Sequence, residues 1–183
     1  ETATNVCSVA VSEGEKILSI RETDEDRSHG KMLTIFMQEV LDEAGLKNSD
    51  LDAIAVSIGP GSYTGLRIGV SVTKGFAYAS QLPVIAVPTL KVIAMAALQD
   101  SHIKNIQTSN PDSLLCPLID ARRMEVYTAI YNEDLSEVEE VKAKIIDENS
   151  FGEYLQERNV FFFGNGSDKI ADLIDHENAH FIT

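Results

Sequence analysis

One stretch of the chain, residues 53–89, reads AIAVSIGPGSYTGLRIGVSVTKGFAYASQLPVIAVPT and constrains the fold more than any other. Ala53 to Ile58 is a short apolar run that stops at Gly59-Pro60-Gly61-Ser62, the composition of a buried strand ending in a glycine turn. Small and apolar residues then continue to about Ala79 as a helix, for which Ser62 or Thr64 can accept a hydrogen bond from the unpaired amides of the first turn. Val84 to Val87 resumes as a strand. Strand, helix and strand within this length make a βαβ unit, whose two strands are expected to be parallel neighbours with a right-handed crossover.

Gly65, Gly69 and Gly75 lie inside that helix, where each costs about 1 kcal/mol relative to Ala, so something else must favour them. Gly65 and Gly69 share a face four residues apart, as do Gly75 and Ala79, and small residues let another backbone come near. That backbone belongs either to the sheet below or to a partner helix. The turn formed by Gly59, Gly61, Ser62, Thr64 and Gly65 has two readings as well. Its amides could cradle a phosphate ahead of a helix N-terminus, or it is a plain tight turn; the Lys-Ser/Thr ending of a P-loop is absent.

With 183 residues, of which 44 % are hydrophobic and 24 % charged, the chain can bury a core as one domain or two small ones. No apolar run approaches the roughly 20 residues of a membrane span, and no basic, apolar leader opens the chain, so a cytoplasmic protein is expected. The opening Glu1-Thr2-Ala3-Thr4 runs straight into a strand without an initiator Met, and residues are expected beyond both ends. A net charge of −14 argues against nucleic-acid binding by this chain alone, because phosphate contacts need clustered Lys and Arg. Cys7 and Cys116 stand far apart within apolar strand patterns, which suits reduced, buried thiols.

In order, Val6–Val11 and Ile17–Ile20 read as the arms of a hairpin, and an acidic loop, Glu22–Arg27, follows. Ser28 can cap a helix from His29 to Ala44, closed by Gly45. Its apolar positions, Met32, Leu33, Ile35, Phe36, Met37, Val40, Leu41 and Ala44, spread wider than the stripe needed to lie on a sheet. The surplus face implies a partner or deep burial in the monomer. A third helix runs from Leu90 to about Leu98, and the polar stretch around Asn110-Pro111 reads as a linker. The expected organisation is therefore an N-terminal lobe, residues 1–100, a linker, 101–113, and a C-terminal lobe, 114–183. In the latter, strands are expected at Leu114–Ile119, Val126–Tyr131, around Val138–Ile146 and at Val160–Phe163, with helices at Phe151–Arg158 and near Lys169–Ile174.

The halves repeat one another weakly. Asp120 to Ile130 matches Glu1 to Val11 as acid, short turn and strand, and Gly164-Asn165-Gly166-Ser167 echoes Gly59-Pro60-Gly61-Ser62. This pattern gives the expected fold class: α/β, a duplicated actin-like, hexokinase-like ATPase fold of two lobes, each a mixed sheet flanked by helices. The hairpin turns of that fold usually carry phosphate-binding glycines, whereas Thr2-Ala3-Thr4-Asn5 and Ala121-Arg122-Arg123-Met124 have none. Glu1 and Asp120 could hold Mg²⁺, but such acids at turns are more often turn and ion-pair residues. His29, His102, His176 and His180 make no zinc spacing, and no catalytic triad can be assembled.

Glu1 to Ala10, Ser28-His29, Ile58 to Gly69 with its Gly-Pro-Gly-Ser-Tyr-Thr-Gly-Leu-Arg run, and Ile119 to Tyr127 together resemble the bacterial TsaB family, also called YeaZ. The resemblance covers most of the chain. It implies a non-catalytic subunit, without cofactor, of the complex that makes threonylcarbamoyladenosine beside the tRNA anticodon. The catalytic relative, TsaD, carries a metal-binding His-x-x-x-His segment after the strand equivalent to Val84–Val87; Thr89 and Ile93 stand there in this chain, and neither can replace an imidazole ligand. The partners implied are a TsaD-type catalytic subunit, an ATP-using TsaE-type subunit, a second copy of the chain when isolated, and tRNA only through the complex. The first two helices are expected to form the docking face, with His29, Met32, Leu33, Phe36 and Val40 from the first and Leu66, Gly69, Val70 and Tyr78 from the second. The competing readings are an actin-like nucleotide-binding protein, which requires phosphate-loop glycines, and an M22-type metalloprotease, which requires metal ligands.

Overall fold

The computed structural model describes residues 1–24, 29–101, 103, 104 and 112–182. The chain divides into two compact units, Glu1–Pro88 and Thr89–Thr183. The acidic loop and the Ser28 cap fall largely outside the described residues, as do His102 and most of the stretch read as a linker.

In the first unit, β1 (Cys7–Glu13) and β2 (Lys16–Thr23) form an antiparallel hairpin, turned by Gly14 at a φ of +57°. The long helix α1 (His29–Ala44) packs across both strands. Gly45, at φ +68°, ends it by letting the Leu46 amide reach back to the Leu41 carbonyl at 2.9 Å. Val11, Val40 and Leu41 make the buried centre of this layer, with Val9, Leu18 and Phe76 around it. At the rim, Arg21 of β2 pairs with Glu39 at 3.2 Å and Glu43 at 2.7 Å of α1. Beyond a short 3₁₀ turn at Asn48–Asp50 comes the βαβ unit: β3 (Ile54–Ser57), α2 (Tyr63–Ser80) and β4 (Val84–Val87), the two strands parallel as expected. The apolar run of β3 is only partly buried, with Val56 and Ser57 inside but Ala55 exposed, and β4 is exposed at Val84 and Ile85.

The second unit begins with α3 (Thr89–Ala97) and contains β5 (Leu114–Asp120), β6 (Glu125–Tyr131), β7 (Glu137–Ile145), the short α4 (Gly152–Leu155), β8 (Val160–Phe163), the short α5 (Asp168–Ala171) and β9 (Ala179–Ile182). The five strands form one sheet in the order β7-β6-β5-β8-β9. β5 runs antiparallel to β6 and parallel to β8, and β8 is parallel to β9. Alternation along β5 feeds two cores. Leu114, Cys116 and Leu118 face one with Val160, Phe162 and Ile170, while Leu115 and Ile119 face the other with Phe161 and Phe163. Fully buried on both faces, β5 and β8 read in the sequence as continuous apolar runs.

The division at Pro88/Thr89 differs from the sequence boundary at residue 100, because α3 packs with the second unit. Leu90 and Ala94, four apart and fully buried, join Leu115, Phe161 and Ile103 in one core. Two details of the second unit also differ from expectation. The Phe151–Arg158 helix shortens to the single turn of α4, and β9 lies in a stretch for which no strand was expected.

Phe162 is fully buried, with ring centroids 5.1 Å from both Phe151 and Phe181. Its replacement by Ala leaves a cavity that the sheet cannot collapse into, and chemical denaturation is expected to show a loss of about 3–5 kcal/mol.

Candidate functional site

The glycines that most needed explanation have a partner within their own unit. Before β1, the residues Thr2 and Ala3 pass directly beneath the start of α2 and are themselves buried. A Cβ at Gly65 would collide with the Thr2 carbonyl oxygen, one at Gly69 with Thr2 Oγ1, and one at Gly61 with the Ala3 carbonyl and, at 2.7 Å, with the Ala3 Cβ. Hydrogen bonds fix the approach. Thr2 Oγ1 donates to the Gly65 carbonyl at 2.8 Å, and the Ser62 amide donates to the Ala3 carbonyl at 2.6 Å. Ser62, not Thr64, is the cap, its hydroxyl accepting from the Gly65 amide at 3.2 Å. The amides of Ser62 and Gly65, two of those a phosphate would use, are therefore bonded inside the chain. Gly75 is different: a Cβ there meets nothing within 4 Å.

α2 consequently has two faces. Gly65, Gly69, Thr73 and Ala77, spaced by four, are buried. Tyr63, Arg67, Lys74 and Tyr78 form an exposed stripe, with the half-buried Val70 at its edge and Tyr63 75 % and Tyr78 89 % exposed. The Arg67 guanidinium lies 5.3 Å from the centre of the Tyr63 ring, presenting an aromatic and a cation together. Leu66 and Val70 are half-buried. On α1 the expected anchors split by depth. Leu33, Phe36 and Val40 are core residues, Phe36 only 6 % exposed, whereas Met32 is half-buried and Ile35 is 47 % exposed. His29 opens α1, and its side chain lies outside the described residues. Leu33, Phe36, Val40 and Gly69 thus serve the fold of this unit; the apolar surface a partner can reach is Ile35, Met32, Val70, Tyr63 and Tyr78. The broad apolar spread of α1 concealed this, because periodicity gives the angle of a side chain and not the depth of what covers it.

Both acids at the repeated turns are engaged by their own chain. Glu1 accepts from the Ser57 hydroxyl through Oε2. Asp120 pairs with Lys169 and accepts from the Arg122 amide at 2.7 Å, and the Lys169 ammonium also donates to the Glu125 carbonyl at 3.0 Å. The hydrogen bond from Lys169, seconded by the Arg122 amide, holds the Asp120 carboxyl below its ordinary range. Burial pushes the Cys116 thiol up to about 12, and it rests 3.2 Å from Thr128 Oγ1, so it stays protonated and unreactive. Among the described residues no three His, Cys, Asp or Glu side chains stand together as a metal-binding group, and no helix is long and apolar enough to cross a membrane.

The comparisons with known proteins agree with one another. The family model for TsaD, tRNA N6-adenosine threonylcarbamoyltransferase, matches residues 16–177. The chain is 34 % identical over 161 residues to the tRNA threonylcarbamoyladenosine biosynthesis protein TsaB of Haemophilus influenzae, covering 87 % of this chain and 59 % of that protein. It is 34 % identical over 134 residues to TsaB of Escherichia coli, covering 73 % of this chain and 54 % of that one. The chain thus spans under two thirds of these relatives. The solved structure of YeaZ from Pseudomonas aeruginosa superposes with a TM-score of 0.79 at 28 % identity, over all of this chain and 81 % of that one.

Two consequences are measurable. Gly65→Ala is expected to destabilise the protein by about 1–3 kcal/mol through overpacking, whereas Gly75→Ala gains up to about 1 kcal/mol of helix propensity, as read from paired denaturation curves. Because the Asp120 carboxyl is depressed in the folded state, its contribution to stability is complete above the ordinary Asp range and disappears as pH falls through the depressed value. Stability of the wild type and of Asp120→Asn is therefore expected to differ at neutral pH and to converge in acid.

Proposed function

The chain belongs to the TsaD family, on the side of its TsaB and YeaZ relatives, and from that membership we propose that it acts as the non-catalytic subunit in tRNA threonylcarbamoyladenosine formation. One observation carries the non-catalytic assignment. Thr89 and Ile93, at the positions where the resemblance to TsaD would require metal-binding histidines, are packing residues. Thr89 is 1 % exposed at the head of α3, and Ile93 lies against the core of the second unit. An alcohol and an alkyl group in those places supply no metal site.

The role that remains is docking. The exposed stripe of α2, Tyr63, Arg67 and Tyr78, together with the half-buried Val70 beside it and Ile35 and Met32 of α1, receives a TsaD-type catalytic subunit, and the isolated chain uses the same surface to pair with a second copy. A TsaE-type ATP-using subunit completes the assembly in the cytoplasm. With a net charge of −14 the chain meets tRNA only through its partners, which supply the cationic surface. The actin-like architecture of two related lobes belongs to the same reading. Each unit couples an acid at a turn to a hairpin and a glycine turn that closes on that segment, Gly61 on Ala3 and Gly164 on Leu118.

Omission tests this function. A reaction of tRNA, threonylcarbamoyl donor, catalytic subunit and ATP-using subunit is run with and without the full-length protein. Product that forms only in its presence is expected; equal product without it overturns the reading. In a binding assay Tyr78→Glu is expected to weaken association with the catalytic subunit at least tenfold, about 1.4 kcal/mol, while changing the protein's own stability by no more than about 0.5 kcal/mol.

A further inference from the structure

We infer that the docking face of the first unit receives a protein surface rich in carboxylates, and that its charge selects such a partner over a second copy of the chain. The inference rests on the docking role proposed above and adds the chemistry of the occupant.

The chain has 29 Asp and Glu, yet none of them falls between Asp52 and Asp100. α2 lies within that stretch, and its only charged residues are Arg67 and Lys74, two turns apart on the exposed stripe. The part of α1 beside α2 has the same character. A Cβ at Gly30 would lie 3.9 Å from Ile68 Cδ1, and from Gly30 to Gln38 the one charged residue is Lys31. Lys31 is exposed and precedes the exposed Ile35 by four residues, on the same side of the helix. Carboxylates return to α1 only in its second half, where Glu39 and Glu43 pair with Arg21 and Asp42 accepts from Gln38 Nε2 at 2.8 Å. Among the described residues Lys31, Arg67 and Lys74 form no ion pair. A chain of net charge −14 thus keeps one face on which every charge is positive and uncompensated.

That face is poorly matched to itself. A two-fold axis sets the same patch against its own copy, so each cation meets cations. With the axis at the middle of the stripe, near Val70 and Ser71, Arg67 comes opposite Lys74 of the second copy. Tyrosine and apolar contacts favour such a pair, and like charges oppose it. A partner helix with Asp or Glu at the facing positions keeps the contacts and replaces repulsion by attraction. The acids elsewhere on the chain do not cancel this preference, because at about 0.1 M salt exposed charges are screened beyond roughly 10 Å. They do disfavour RNA as the occupant: three cations are too few to hold a polyanion that extends past them over an acidic surface.

Two affinities of the full-length protein test this, one for its TsaD-type catalytic subunit and one for itself. Raising NaCl from about 0.1 M to about 1 M, which shortens the screening length from roughly 10 Å to roughly 3 Å, is expected to weaken the first and tighten the second. Arg67→Glu is expected to weaken binding to the catalytic subunit at least about tenfold and to tighten self-association about threefold or more. The tightening runs against the change in net charge, because a carboxylate then meets Lys74 of the second copy. Adding Lys74→Glu brings like charges together again and is expected to loosen the homodimer. Both positions are exposed, thermal melting reports whether each variant is folded, and the salt titration needs no variant. A heterodimer indifferent to salt and to Arg67→Glu overturns the inference and leaves the docking role standing, whereas no heterodimer at all overturns both. Self-association that Arg67→Glu fails to tighten also overturns it. So does tRNA bound by the isolated chain and released by Arg67→Glu, because phosphate would then be the occupant.

Discussion

The first unit depends on how closely the Thr2–Ala3 backbone passes beneath α2. A helix with side chains on that flank would ride several ångströms higher, and the Ser62 amide would lose the Ala3 carbonyl. Glycine at positions 61, 65 and 69 removes the obstruction at a cost in helix propensity of about 1 kcal/mol for each one inside the helix. The return is a buried hydrogen bond from Thr2 Oγ1 to the Gly65 carbonyl and a second from the Ser62 amide to the Ala3 carbonyl, which join the segment before β1 to the βαβ unit. The same contact fixes the azimuth of α2. With 65, 69, 73 and 77 turned inward, Tyr63, Arg67 and Tyr78 are left on the outside, so the exposed side of the helix follows from the contact that holds it down.

The second unit meets a related requirement with less helix. Gly164, at φ +95°, comes against the Leu118 carbonyl, and the Gly166 amide bonds that carbonyl at 3.1 Å. Here the sheet carries the stability. β5 and β8 are apolar on both faces, and in one of the two cores Phe162 meets Phe151 edge-on and stacks on Phe181. Asp120 and its Lys169 partner stand at the edge of this arrangement, where the ion pair orients the turn but sits partly in water and contributes little by itself.

Much of the fold was legible because it rests on local signals. The run from Ala53 to Val87 announced its strand, cap, helix and strand, since periodicity and a capping serine act within one or two turns. β8 was equally plain as four consecutive buried residues. The depth of the α1 side chains was not. Phe36, Leu33 and Val40 look like surplus apolar residues in the sequence, and only long-range packing separates these buried positions from the exposed Ile35. The partner of the α2 glycines was hidden for the same reason: Thr2 lies 63 residues from Gly65, and nothing in spacing points to it. α3 was assigned by its neighbours in sequence, yet Leu90 and Ala94 packed with strands that begin more than fifteen residues later.

The outer strand β7 has a consequence of its own. Five of its nine residues, Glu137, Glu139, Glu140, Lys142 and Lys144, are charged, and most of the strand is exposed. Any strand arriving at that edge would have to bring its neighbours against both signs of charge at close spacing, which blunts edge-to-edge pairing. β9, at the other end of the sheet order, is made of Ala179, His180, Phe181 and Ile182 and carries no such guard. The two ends of the described sheet order therefore differ in the side chains they present, charges of both signs on β7 and mainly apolar groups on β9.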